Sequence, residues 1–129
     1  MHVAKMHEID EKYIDKMEAP YSRIIKHIVA PWTMGSENIW VGLAIVDPGN
    51  NSNPHSHADQ EEVFVTLSGR GQIMVNNEVT DVEPGTVVFV PKGQVHQLIN
   101  ENGRETLKIM PITSPPFIPE KFKKDHLIK

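Results

Sequence analysis

The sequence predicts an all-β domain, a sandwich or barrel of short strands. Three observations carry this. The 129 residues are 39% hydrophobic and 23% charged, the composition of one soluble globular domain able to bury a core. Ten prolines and eight glycines break the chain along its whole length. Between these breaks lie short runs rich in β-branched residues, at the even spacing of strands in an antiparallel barrel.

From the N-terminus, only Ile9 to Glu18 has a helical pattern, with Ile9, Tyr13, Ile14 and Met17 at helical spacing. It predicts a short helical or irregular arm. Strands are predicted over Arg23–Val29, Ile39–Val46, Glu62–Leu67, Gln72–Val75, Thr86–Val90, Val95–Ile99 and Thr106–Ile112. Asp47-Pro48-Gly49, Ser68-Gly69-Arg70-Gly71, Asn76-Asn77, Glu83-Pro84-Gly85 and Asn102-Gly103 supply the turns between them. The run Ser114-Pro115-Pro116-Phe117-Ile118-Pro119 predicts an extended Pro-rich C-terminal strap, because proline has no ladder donor. Lys121, Lys123 and Lys124 read as a solvated tail. With no internal repeat or linker, residues 1–129 are expected to form a single domain.

A net charge of −4 and a pI near 5.9 give no basic footprint, so no nucleic-acid partner is expected. No stretch reaches the roughly 18 to 20 apolar residues of a membrane span, so no membrane partner is expected. The absence of cysteine removes disulfide and thiolate chemistry. Residues Met1 to Asp10 hold no apolar run suited to a signal peptide, and the expected compartment is cytoplasmic.

Seven histidines are unevenly placed. In His55-Ser56-His57 two imidazoles share one face of an extended segment, because side chains alternate with period two. Neutral imidazole is the commonest protein ligand to metals, and two such rings can reach one ion at about 2.0–2.1 Å. Glu61-Glu62 offers a carboxylate, and His96 comes from a separate strand after the Pro91-Lys92-Gly93 turn. Three nitrogens and one hard oxygen suit Fe, Mn, Ni, Co or Zn. Taken alone, the histidine pair reads equally as polar loop residues after Asn50-Asn51-Ser52-Asn53.

The flanking spacing extends this pattern. Gly49, five residues, His55-x-His57, four residues, Glu62, six residues and Gly69 form one pattern, at residues 49–69. Gly85, five residues, Pro91-x-Gly93, two residues, His96, three residues and Asn100 form another, at 85–100. These match the two cupin motifs in order, and the chain resembles a small single-domain cupin of the RmlC-like jelly-roll superfamily. The resemblance implies a double-stranded β-helix, a jelly-roll barrel of roughly six to eight strands. It also implies one divalent transition metal inside, held by His55, His57, Glu62 and His96. Gly69, Gly85 and Gly93 would be turn residues with permissive backbone angles, and Asn100 structural. In an unbroken strand Glu61 rather than Glu62 shares the parity of His57. The interval to Gly69 selects Glu62 and requires a bend near Ala58-Asp59-Gln60, with Glu61 pointing to solvent.

An inward Glu62 brings Phe64 and Thr66 to the same face, and an inward His96 brings Leu98. Trp32, Met34 and Trp40 are candidates for the mouth of the pocket, and each also reads as ordinary core. Arg23 and His27 share a strand face and could meet an anionic substrate or simply join the core. His2, His7 and His126, near the termini, are expected to be solvent-exposed. The resemblance implies an enzyme acting on a small oxygenated molecule (a sugar, sugar acid or other carboxylate or enol) at an open metal position. Isomerase, lyase and dioxygenase chemistry all fit, and a non-catalytic small-molecule binding or sensing module is the alternative. Small cupins commonly pair, so a homodimer is expected, with the residues before Tyr21 able to take part.

Overall fold

The computed structural model describes residues 1–126. Among them, ten strands form two antiparallel sheets that close on each other as the jelly roll that the cupin resemblance implies. They are β1 (Ile14–Met17), β2 (Arg23–Val29), β3 (Trp40–Val46), β4 (Asn50–Asn51), β5 (Glu61–Ser68), β6 (Gly71–Val75), β7 (Glu78–Val82), β8 (Val87–Val90), β9 (His96–Asn100) and β10 (Leu107–Ser114). The larger sheet runs β1-β2-β3-β10-β5-β8 and the smaller β4-β9-β6-β7.

Period-two alternation decides which residues meet inside. Strand β5 turns Glu62, Phe64 and Thr66 inward, β9 turns in His96, Leu98 and Asn100, and β10 turns in Leu107, Ile109 and Thr113. Trp40, Val46, Phe64, Ile73, Val90, Leu98, Leu107 and Ile109 fill the core between the sheets. Asn100 takes the structural role expected of it. Its buried amide donates to the carbonyl oxygens of Val46 and Glu105 at 2.8 and 2.9 Å, tying β3 to the turn before β10.

Three features add to what the sequence predicts. The predicted helical segment near the N-terminus is two single turns of 3-10 helix, Met6–Glu8 and Glu11–Tyr13, followed by β1, which pairs with β2 from Ile14↔Lys26 to Met17↔Arg23. Strand pairing outcompetes a helical pattern too short to be stable alone. Strand β7 carries no hydrophobic alternation because all but Val82 face solvent, and its register comes instead from the Asn76-Asn77 turn, where Asn76 has φ 54°. At the C-terminus the Pro-rich strap is followed by a helix where a solvated tail was expected. Pro119 opens an α-helix, α1 (Pro119–His126), a position where its missing donor costs nothing. Glu120 in the first turn and Lys123 and Lys124 in the last complement the helix dipole. Phe122 and His126, four residues apart, share its buried face, while Lys123 and Lys124 stay solvated as expected.

Candidate metal centre

The two sequence motifs converge through backbone pairing. His55 and His96 lie opposite each other, His55 N–H donating to His96 O at 3.1 Å and His96 N–H to His55 O at 2.9 Å. Gly93, in the turn before β9, donates its N–H to His57 O at 2.9 Å, so the second motif positions the first. Ser52 adds a reciprocal pair with Leu98, backbone N–H to O at 2.9 Å and Leu98 N–H to the Ser52 hydroxyl at 2.8 Å. After His57 the chain turns at Ala58-Asp59, which changes the parity so that β5 presents Glu62 inward and leaves Glu61 exposed. The bend required by the sequence is therefore present.

One ligand-capable atom from each of His55, His57 and His96 falls within 4.8 Å of the others. Glu62 Oε1 joins them, 3.1 Å from His96 Nε2 and 3.5 Å from His57 Nε2. The tautomers follow from the outer partners. His55 Nδ1 donates to Asn53 O at 2.8 Å and His96 Nδ1 to Gln94 O at 3.0 Å; a carbonyl can only accept, so each Nδ1 carries the hydrogen. His57 Nδ1 donates to the Asp125 carboxylate at 2.9 Å. Each Nε2 is thereby left as a lone-pair donor, the usual arrangement around a metal-binding histidine. His57 Nε2, His96 Nε2 and Glu62 Oε1 are buried, and among the described residues none has an aligned hydrogen-bond partner. Their mutual approach is one of charge and proximity, not of hydrogen bonding. Buried polar atoms seldom go unsatisfied, and this group of three has the composition and spacing that one metal ion would satisfy.

The charges point the same way. Burial alone would raise the Glu62 carboxyl, but its contacts with His57 and His96 outweigh burial and hold it at about 2. Burial lowers His96, and the Glu62 carboxylate more than offsets this, leaving its pKa above the ordinary value. Burial, followed by the neighbouring His96, pushes His55 down to about 3. The carboxylate thus stands ready to balance a cation, whether a proton on His96 or a metal.

Helix α1 closes this end of the barrel, and sequence reasoning missed its contribution. Asp125, which receives the His57 hydrogen bond, is steadied by Lys121 at 3.2 Å. His126, expected at the surface, is buried. Its ring stacks on Phe122 with centroids 4.2 Å apart and sits 4.5 Å from the His55 ring, with Nδ1 donating to Phe122 O at 2.9 Å. Burial, reinforced by His55, holds its pKa well below the ordinary value. The one available signal was the pair of i,i+4 relations, Lys121 with Asp125 and Phe122 with His126.

A cavity of about 30 Å³ adjoins the cluster, lined by Arg23, Ile25, Trp40, Glu62, Phe64, Leu98, Phe122 and His126 among others. Of the residues considered for the mouth, Trp40 is a buried wall, Trp32 packs on the edge of the core, and Met34 lies outside this cavity. The other strand-face candidate, His27, points away to Asp15, its Nε2 2.7 Å from the carboxylate, and accepts from Trp40 Nε1 at 3.2 Å. His27 is therefore a core residue, whereas Arg23 reaches the cavity.

The pattern of the family described as "Cupin domain" matches residues 42–113. An uncharacterized protein of Streptomyces coelicolor is 39% identical over 79 residues, covering 61% of this chain and 72% of its own. Another, of Methanocaldococcus jannaschii, is 31% identical over 100 residues, covering 73% and 74%. Among solved structures, a predicted oxalate decarboxylase from Thermotoga maritima superposes with TM-score 0.75 at 19% identity, over 88% of this chain and 99% of its own. Ectoine synthase from P. lautus gives 0.76 at 16% identity, over 96% and 85%. At such identities the two structures speak to the fold alone.

Proposed function

The chain belongs to the cupin family, and on that premise we propose that His55, His57, Glu62 and His96 hold one divalent transition-metal ion beside a pocket for a small oxygenated molecule. One observation carries this reading: three histidines whose Nδ1 atoms are engaged elsewhere, with the buried, unpartnered Nε2 atoms of two of them facing an equally unpartnered Glu62 oxygen. The three-nitrogen, one-oxygen set suits Fe, Mn, Ni, Co or Zn better than Mg or Ca, which prefer oxygen. Such an ion supplies Lewis acidity and an open coordination position. Asn53, Gln94 and Asp125 hold the three rings in orientation, and the apolar walls from Ile25, Phe64 and Leu98 limit water around the bound group.

With that set, the protein acts as an isomerase, lyase or dioxygenase on a sugar, sugar acid or other carboxylate or enol. The size of the cavity supports a second reading, a non-catalytic binding or sensing module. With α1 in place there is room for about two water-sized groups, which suits retention of a ligand more readily than exchange. Elemental analysis tests the metal. Protein purified without chelator is expected to carry about one ion per chain, and His96→Ala far less while keeping the wild-type circular dichroism. Wild-type protein that is metal-free and takes up none on reconstitution would sink the reading.

A further inference from the structure

Arg23 narrows the class of molecule this pocket takes. Its side chain is 4% exposed, and arginine is almost never so buried without a paired charge. Among the described residues its hydrogen bonds go to neutral oxygens: Tyr21 O at 2.9 Å, Asn53 Oδ1 at 2.5 Å and His126 O at 3.1 Å. Among the described residues it takes part in no ion pair. Burial draws its pKa down to about 10, and among the described residues no neighbouring carboxylate offsets this.

Its position links it to the metal cluster. Arg23 lines the same cavity as His55, Glu62 and His96. Asn53 holds both sides together, accepting from Arg23 through its side chain and from His55 through its backbone. Once a divalent ion is present, Glu62 is the one cavity carboxylate set against both the ion and Arg23, since Asp125 is matched by Lys121. About two positive charges then remain uncompensated between apolar walls, a costly arrangement. The cavity itself has room for about two water-sized groups, the dimensions of a planar two-oxygen head.

We propose that the ligand is a small carboxylate whose headgroup lies between Arg23 and the position held by His55, His57, Glu62 and His96. Among the described residues, Tyr21, Asn53 and His126 leave the Nε–H and one Nη1–H of Arg23 free, and a carboxylate suits these charged donors. The proposal rests on the metal reading and deepens it from oxygenated molecules in general to carboxylates. The competing account makes Arg23 a strap only, tying β2 to Asn53 and to the end of α1.

Zinc-loaded full-length protein, titrated with glycolate and with its neutral counterpart glycolamide, separates the two. Calorimetry is expected to show glycolate binding at least about tenfold tighter than glycolamide. Arg23→Gln is expected to weaken glycolate about ten- to hundredfold, the value of a charged hydrogen bond, with zinc content unchanged. The chain has Arg23, Arg70 and Arg104 as its arginines, so their Nε–H signals in a nitrogen-15 spectrum are readily separated, and glycolate should shift that of Arg23. Equal binding of glycolate and glycolamide, an unmoved Arg23 signal at saturation, or unchanged affinity in Arg23→Gln would each overturn the proposal. If that variant fails to fold, the wild-type comparison and spectrum decide alone. A wild-type sample that takes up none of Fe, Mn, Ni, Co or Zn overturns the metal reading and this one with it; a metal-loaded sample indifferent to glycolate overturns this one only.

Discussion

Glu61 and Glu62 are adjacent in the chain and opposite in environment, the first exposed and the second 4% exposed against His57 and His96. The turn at Ala58-Asp59 produces the difference. Glu62→Gln is expected to weaken metal binding about tenfold or more, because a charged ligand is lost, while Glu61→Gln leaves it unchanged. Equal effects in a metal titration would mean that the carboxylate is misassigned. At this scale the candidate site was largely legible in the sequence, since His55, His57, Glu62 and His96 sit in two segments whose spacing resembles the cupin motifs. Asp125 and His126 were not. Their roles depend on where α1 docks, a contact between His57 and Asp125 across 68 residues of chain that no local pattern encodes.

The strands of the barrel interior were legible because alternation and turn residues both mark them. Strand β7 and helix α1 were not, for opposite reasons. In β7 the side chains are too exposed to leave an apolar pattern, and in α1 the preceding prolines and the short length hide a helix that Phe117 and Phe122 anchor. The turns carry a sharper prediction. Gly69 has φ 81°, and an added Cβ would collide with the backbone oxygen of Thr106; Gly85 has φ 94° with open space around it. Gly69→Ala should therefore cost about 2 kcal/mol or more and Gly85→Ala about 1 kcal/mol in urea unfolding, since only the first adds a clash to the backbone penalty. Similar losses for both would show that the Gly69–Thr106 approach relaxes freely.

At the scale of the molecule, burying histidines at the candidate metal site makes the metal-free protein acid-sensitive. His55 is held near 3 and His126 is also lowered, from an ordinary value of 6.5, so both bind protons more readily when unfolded. Their contribution is complete above pH 6.5 and is lost as pH falls, at up to about 1.4 kcal/mol per unit for each group. His96, with its pKa raised, acts in the opposite sense, its contribution complete below 6.5 and lost as pH rises. Glu62, held near 2, loses its contribution only below its ordinary 4.5. Two lowered groups outweigh one raised group, so the urea midpoint of metal-free protein should fall between pH 7.5 and 5; a flat or rising midpoint would contradict this balance. The homodimer implied by the cupin resemblance we propose to form through the outer face of the larger sheet. There Val87 and Phe89 are 61% and 53% exposed and pair with the outward-facing Val65 and Val63. Sedimentation velocity should show a dimer that Phe89→Glu dissociates, and a wild-type monomer at micromolar concentration would rule it out. The central claim is the metal itself, and anomalous X-ray diffraction at the absorption edge of the metal found in the purified protein tests it most directly. The account predicts one peak per chain, about 2.0–2.3 Å from Nε2 of His55, His57 and His96 and from a Glu62 carboxylate oxygen; no peak there, or a peak elsewhere, would contradict it.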